Sequence, residues 1–393
     1  MGSKKLDMIQ RKKWILPFTL ILVSAIGLWA RFQGIYFESG DYRSCLSIWT
    51  EELSGGKGLR ALADYNGDYN MPYITVLLLL TYLPFEPIIC IKSVSILFDF
   101  VCAFAGAALA VICAKNAKRR ELIFGIAYSL IFLSPIAVLN SGWWGQCDSI
   151  YVGFIILSAV CLLKEKPSLC MIFMGCALAF KLQTVFALPM LMIYYWKNKN
   201  FSVWKFFLIP ITMEILCLPA IIGGCSPWVT FSVYFSQMKT FPEMFYYYPN
   251  FWTFFQNAPY YVFGRMAVAG TFALLLTEAV LILQKETVIN KKNYLPLFCL
   301  LVMTTLCFLP SMHDRYGYML EMTAMIYAAA DKRKWWFALM LQMTTFTVYL
   351  PAFLRRYVID ARIVAAVYLL TFAAFAYCEI KRLTKREGEN VHA

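Results

Sequence analysis

The residues able to do chemistry fall in a few short stretches between long apolar runs. The first starts at residue 37 with Phe-Glu-Ser-Gly-Asp-Tyr-Arg, holding Glu38, Asp41 and Arg43, and closes over 64–73 with Asp64 and Asp68. An acid directly after an apolar helix can serve as a general base when burial tunes it and an acceptor hydroxyl comes within reach. Asp41 is the candidate base here; the alternative is a solvated loop acid. Glu38, Asp64 and Asp68 read as structural, since Asn-Gly and Gly-Asp steps mark turns.

The second stretch, 141–149, reads Ser-Gly-Trp-Trp-Gly-Gln-Cys-Asp-Ser. A carboxylate at the end of a membrane helix is costly unless it meets water or a partner, so Asp148 is a functional candidate. Two indoles, a glycine allowing close approach, and the Gln146/Asp148 pair can grip a polar ligand, with Trp144 as one wall. The competing reading is an interface anchor in which Asp148 caps the next helix. Further on, Lys181 and Gln183 interrupt a long apolar run. A lysine there requires an anion or carboxylate, unless it snorkels to the interface. The last stretch, 311–316, is Ser-Met-His-Asp-Arg-Tyr, with His313 one of two histidines and His392 in the tail the other. Arg315 suits phosphate oxygens; an ordinary turn with a local Asp/Arg pair is the alternative. No nucleophile elbow, P-loop or Cys-x-x-Cys metal spacing accompanies these residues.

The elements that must position them are membrane helices. The chain has 393 residues and is 61% hydrophobic and 17% aromatic, well above the roughly 45–50% apolar content of soluble domains. Runs of about 18 or more apolar residues recur to the C-terminus, and no β-barrel alternation is present. The formal charge of +13 sits in short clusters between those runs, where membrane orientation accounts for it, and no reader motif for nucleic acid accompanies it. Most of the 13 cysteines lie in apolar segments and behave as small hydrophobes. Cys45 and Cys225 fall in expected outer loops, and a bond between them is open.

The basic clusters at 4–13, 115–120, 164–166, 197–199, 285–292, 331–334 and 381–386 go to the cytoplasm by the positive-inside rule, with both termini. The first apolar run is long and lacks a small-residue cleavage pattern, so it reads as an uncleaved helix. The polar stretches described above then share the opposite face, together with the long loops 33–70 and 223–264. Expected helices cover 14–32, 88–113, 121–139, 149–163, 169–196 in two halves, 204–222, 266–283, 294–309, 316–330, 335–354 and 361–380. Residues 72–83 enter only partway. The expectation is an all-α polytopic protein of about twelve crossings in a single integrated domain, 1–393, with a long first outer loop.

Carboxylates, Lys, Arg, His and Gln gathered on one membrane face suit a phosphate-linked donor and a hydroxyl acceptor. Trp-Gly-Gln-x-Asp at a helix top, Lys-x-Gln between short helices, Pro-Asn-Phe-Trp at 249–252 and Met-His-Asp-Arg-Tyr at 312–316 together resemble the GT-C glycosyltransferases. The likeness is closest to bacterial proteins similar to the eukaryotic GPI mannosyltransferases. The resemblance implies a hexosyltransferase in which a mannose-like or other hexose moves, with inversion, from a polyprenyl-phosphate donor to a glycan or lipid-linked glycan outside the membrane. It implies no required cofactor, with a divalent metal tolerated. It gives Asp41 the role of base. Asp148 and Gln146 orient donor or acceptor, and Lys181, His313 and Arg315 meet the lipid phosphate. Arg43, Trp144 and Gln183 fall among the substrate-binding positions. The family often has Lys-Pro-Gln where this chain has Lys181-Leu182-Gln183, and Glu in place of Asp314.

The rival class is a transporter or lipid-linked glycan flippase, which also uses intramembrane charges and broken helices. It calls for a charged path reaching both faces and an inverted repeat, and the sequence shows neither. A bacterial plasma membrane with the active site outside is the expected setting.

Overall fold

The computed structural model describes residues 2–115, 117–285, 288–356 and 358–384. His392, the end of the last basic cluster and the expected cytoplasmic C-terminus lie outside the described residues. Among those described, every regular element is helical and no strand occurs.

Among the described residues, six helices are long and apolar enough to cross a membrane: Trp14–Phe32, Pro87–Cys113, Val203–Ile222, Tyr260–Leu283, Lys332–Leu354 and Ala361–Arg382. A seventh arises if the bent pair Arg120–Phe132 and Pro135–Trp144 is one span. Their length and apolar composition suit these helices to a membrane. The difference from about twelve expected crossings lies in Asp148–Leu163, Pro167–Phe180, Leu188–Asn198, Tyr294–Phe308 and Tyr318–Ala330, which are only 16, 14, 11, 15 and 13 residues long. At 16 residues, Asp148–Leu163 extends only about 24 Å, short of a hydrocarbon core about 30 Å thick.

The chain divides into two compact units. The first comprises residues 1–184, 204–237 and 325–332. Its centre is Pro87–Cys113, which packs on Arg120–Phe132 and Asp148–Leu163; the latter packs on Pro167–Phe180, and that helix on Leu208–Ile222. The expected long loop 33–70 proves to be folded. It contains a π-helical turn Tyr42–Leu46, a helix Ser47–Leu53 and a 3-10 turn Gly58–Leu62. Leu46, Trp49 and Leu53 recur at helical spacing and bury one face with Leu62 and Tyr65 against Ile74, Leu77 and Leu78 of Met71–Leu80. Trp49 meets Tyr65 edge-on at 5.6 Å. Burial pushes the Tyr65 phenol upward, so its oxygen stays a neutral acceptor for the Tyr69 N–H at 3.1 Å. Cys45 and Cys225 both pack against this core as free thiols, and the Cys225 thiol faces the Leu62 carbonyl at 3.4 Å.

The second unit comprises residues 185–203, 238–324 and 333–393. Tyr294–Phe308 is buried on nearly every side, as its apolar circumference requires. It packs on Leu188–Asn198, Tyr260–Leu283 and Ala361–Thr384. Phe337 stacks on Phe375 at 3.9 Å, joining Trp335–Leu354 to Ala361–Thr384.

Candidate functional site

Residues 134–148 in the first unit turn a helix into a site. Pro135 cannot continue the ladder of Arg120–Phe132, so the chain bends by 47°, where the sequence suggested one helix over 121–139. Ser134 caps the new start. A π-helical turn, Leu139–Trp144, follows, and Gly145 reverses the chain at φ 79°. That left-handed conformation suits glycine. The Gln146 N–H then returns to the Asn140 carbonyl at 2.9 Å. The tip also presses on the first helix: a Cβ on Gly142 would lie 2.7 Å from the Arg31 Cα.

Asp41 meets this turn. It precedes the Tyr42–Leu46 turn but does not cap it. Its Oδ2 accepts from Trp144 Nε1 at 3.1 Å and from Gln146 Nε2. Ser39 donates to the Trp144 carbonyl at 2.7 Å and accepts from the Tyr42 N–H. The far end of the first loop closes on the same region. Tyr69 donates to Gln146 Oε1 at 3.4 Å, and Asn70 donates to the Ala179 carbonyl at 3.1 Å.

Asp148 is the first residue of its helix; Cys147 holds the cap position without a side-chain cap bond. Helix capping therefore does not account for the Asp148 carboxylate. Its Oδ2 accepts from Asn140 Nδ2 at 2.9 Å, and its Oδ1 pairs with Lys181 Nζ, with both charged side chains buried. Lys181 terminates Pro167–Phe180 in an extended conformation, and its ammonium lies 5.7 Å from the Tyr151 ring centroid. Gln183 and Thr184 follow on the same turn. Both are buried, and the Gln183 carbonyl oxygen and Thr184 hydroxyl have no hydrogen-bond partner among the described residues.

Three buried charges absent from the sequence reading hold this arrangement. Arg31 Nε pairs with Asp99 Oδ2 at 2.7 Å, and the Ser141 hydroxyl donates to the same oxygen at 2.5 Å. Arg31 also donates to the Gly27 and Phe132 carbonyls. Lys92 donates to the carbonyls of Gly34 and Phe37 at 2.8 and 2.7 Å, gripping the segment that leads to Asp41. The signal was present in the sequence: Lys92, Ser95 and Asp99 recur at three- and four-residue steps along an otherwise apolar helix, a polar stripe on one face.

His313 and Arg315 belong to the second unit. The Met312 carbonyl accepts from the Tyr248 N–H at 3.1 Å, and the Ser311 hydroxyl donates to the Glu243 carbonyl at 2.6 Å. Asn250 and Trp252 of the aromatic loop donate to the carbonyls of Leu309 and Phe308 at 2.9 and 2.6 Å. The Pro-Asn-Phe-Trp segment therefore straps the His313 turn. The imidazole is buried among Phe241, Tyr246 and Tyr316, with centroids 4.7, 4.2 and 4.8 Å away. Burial, then the neighbouring Tyr247, Glu243 and Asp314, pushes the Tyr246 phenol up. Arg315 is half-buried beside it.

Within the first unit the structure thus joins Asp41 to Trp144 and Gln146, and Asp148 to Lys181. Arg43 is exposed and lies outside these hydrogen-bonded groups. Among the described residues, no group of three or more His, Cys, Asp or Glu side chains is placed to hold a metal ion. No model of a known protein family matches the chain, and no characterised protein matches its sequence.

Proposed function

We propose that the chain is a membrane glycosyltransferase of the GT-C type. It moves a hexose from a polyprenyl-phosphate donor to a glycan or lipid-linked glycan on the extracytoplasmic face. The observation that supports this reading best is the carboxylate of Asp41, at the start of the first loop, held by the Trp144 and Gln146 side chains of the second. A general base must be fixed in direction to receive a proton as the acceptor hydroxyl attacks.

In this reading Asp41 takes the hydroxyl proton, the hydroxyl oxygen bonds to the anomeric carbon, and the bond from that carbon to the donor phosphate breaks with inversion. The departing polyprenyl phosphate needs cations, for which His313 and Arg315 are the candidates. Lys181 is engaged by Asp148 and acts through it, by holding the second acid in place. Gln183 and Thr184, with polar atoms unspent on the protein, are suited to sugar hydroxyls.

The test is transfer of labelled hexose from a synthetic polyprenyl-phosphate donor in vesicles, combined with the native glycans of cells with and without the protein. Loss of one sugar from those glycans supports the reading, and an unchanged glycan profile with no transfer refutes it.

A second reading, a polytopic transporter or flippase, is favoured by acids within candidate spans elsewhere, Glu278 half-buried and Glu379 buried. Glu278 accepts from Thr304 at 2.7 Å within a candidate span, and Glu379 pairs with Lys334 at 2.6 Å. Movement of a lipid-linked glycan across vesicles without any sugar transfer would select it.

A further inference from the structure

The second unit holds a cavity of about 340 Å³ where Trp335–Leu354 gives way to Ala361–Thr384. Val348, Pro351, Ala352, Ile359 and Val364 form an apolar wall, and Arg355 and Arg356 both line the same space. Both arginines are exposed, and neither side chain has a hydrogen bond or ion pair with the described residues. Asp314 is the acidic residue of the lining, so two guanidinium groups stand against one carboxylate.

Two ordinary explanations cover only part of this. A cation at a helix C-terminus meets the helix dipole, and Arg355 occupies that place with φ 54°. The dipole gives no reason for Arg356 on the same cavity. Nor do the two arginines mark the cytoplasmic end of the helix, because Lys332, Arg333 and Lys334 already stand at its other end. Guanidinium pairs match phosphate oxygens, and basic pockets between membrane helices suit lipid headgroups.

We propose that this cavity binds a lipid-borne phosphate, with Arg355 and Arg356 taking the phosphate oxygens and the apolar wall taking the first part of the chain. The inference stands apart from the transfer reaction. The phosphate can come from an isoprenyl carrier or from a bulk anionic phospholipid, and the experiment separates the two.

The full-length protein in phosphatidylcholine nanodiscs is titrated with a fluorescent isoprenyl phosphate and with phosphatidylglycerol, with the neutral isoprenol and inorganic phosphate as comparisons. Binding is read without turnover, so loss of transfer activity and loss of this site are distinguishable. Saturable binding of either lipid phosphate is expected, at least tenfold tighter than isoprenol. The tighter of the two identifies the source. The double variant Arg355→Ala/Arg356→Ala weakens binding at least tenfold, whereas Arg362→Ala, outside the lining, leaves it unchanged. Ala352→Trp, which fills the cavity and keeps both arginines, also weakens it at least tenfold. Isoprenol binding as well as the phosphate, inorganic phosphate binding as tightly as the lipids, or either cavity variant retaining wild-type affinity would overturn the proposal.

Discussion

Gln146 donates its side-chain amide to the Asp41 carboxylate, joining two polar segments 105 residues apart in sequence. Trp144 donates to the same oxygen, so the orientation of Asp41 is set by the second loop and not by the helix that follows it. If Asp41 is the base, Asp41→Asn lowers transfer by about 10²- to 10⁴-fold with thermal stability preserved, because the amide keeps the size of the side chain. Gln146→Glu sets a second carboxylate against the first and reduces transfer without removing the base. Initial rates in vesicles, alongside melting of the purified protein, check both. Wild-type transfer by Asp41→Asn would exclude Asp41 as the base.

Lys181 and Asp148 form a buried pair. Removing one partner leaves an uncompensated buried charge and costs roughly 3–5 kcal/mol, whereas replacing both with apolar residues is often close to neutral. Lys181→Met is therefore expected to destabilise more than the double variant Lys181→Met/Asp148→Leu. Melting temperatures of the two single variants and the double variant make the comparison. Equal additive losses would show that the contact contributes no coupling.

Lys92 grips the carbonyls of Gly34 and Phe37, seven and four residues ahead of Asp41. Lys92→Met frees that segment. Amide hydrogen exchange over 34–41 should rise, and kcat should fall more than KM changes, since the base is held less well and binding groups elsewhere are untouched. Unchanged exchange in this segment would argue that Lys92 is only packed there.

Gly145 adopts φ 79°, and a Cβ placed on it would stand 3.4 Å from the Lys92 side chain. Left-handed backbone costs an L-residue about 1–2 kcal/mol, so Gly145→Ala lowers thermal stability by that order. The same change at Gly40, where nothing lies within 4 Å of an added Cβ, serves as the comparison in the same melting experiment.

Much of the helical layout was legible in the sequence. Apolar runs between basic clusters placed Trp335–Leu354 at its observed bounds and Pro87–Cys113 within a residue. The interruption at Lys181 also corresponds to a break in the structure, Pro167–Phe180 ending at Lys181, and the segment over 72–83 forms the ten-residue helix Met71–Leu80. The folded first loop was less visible, because Leu46, Trp49 and Leu53 sit among charges that mask their helical spacing.

The sequence by itself determined that the chain builds apolar helices for a membrane and which polar residues interrupt them. Backbone groups in lipid must bond within their own segment, so a long apolar run leaves few choices but a helix. Only the tertiary structure decided the partnerships: Asp41 with Gln146, Asp148 with Lys181, and Arg31 with Asp99. These bonds join residues far apart in the chain, and their formation depends on which helix faces pack together. Local spacing carries no record of that choice, and the cost of an unpaired charge in the interior makes each such pairing specific once the helices have met.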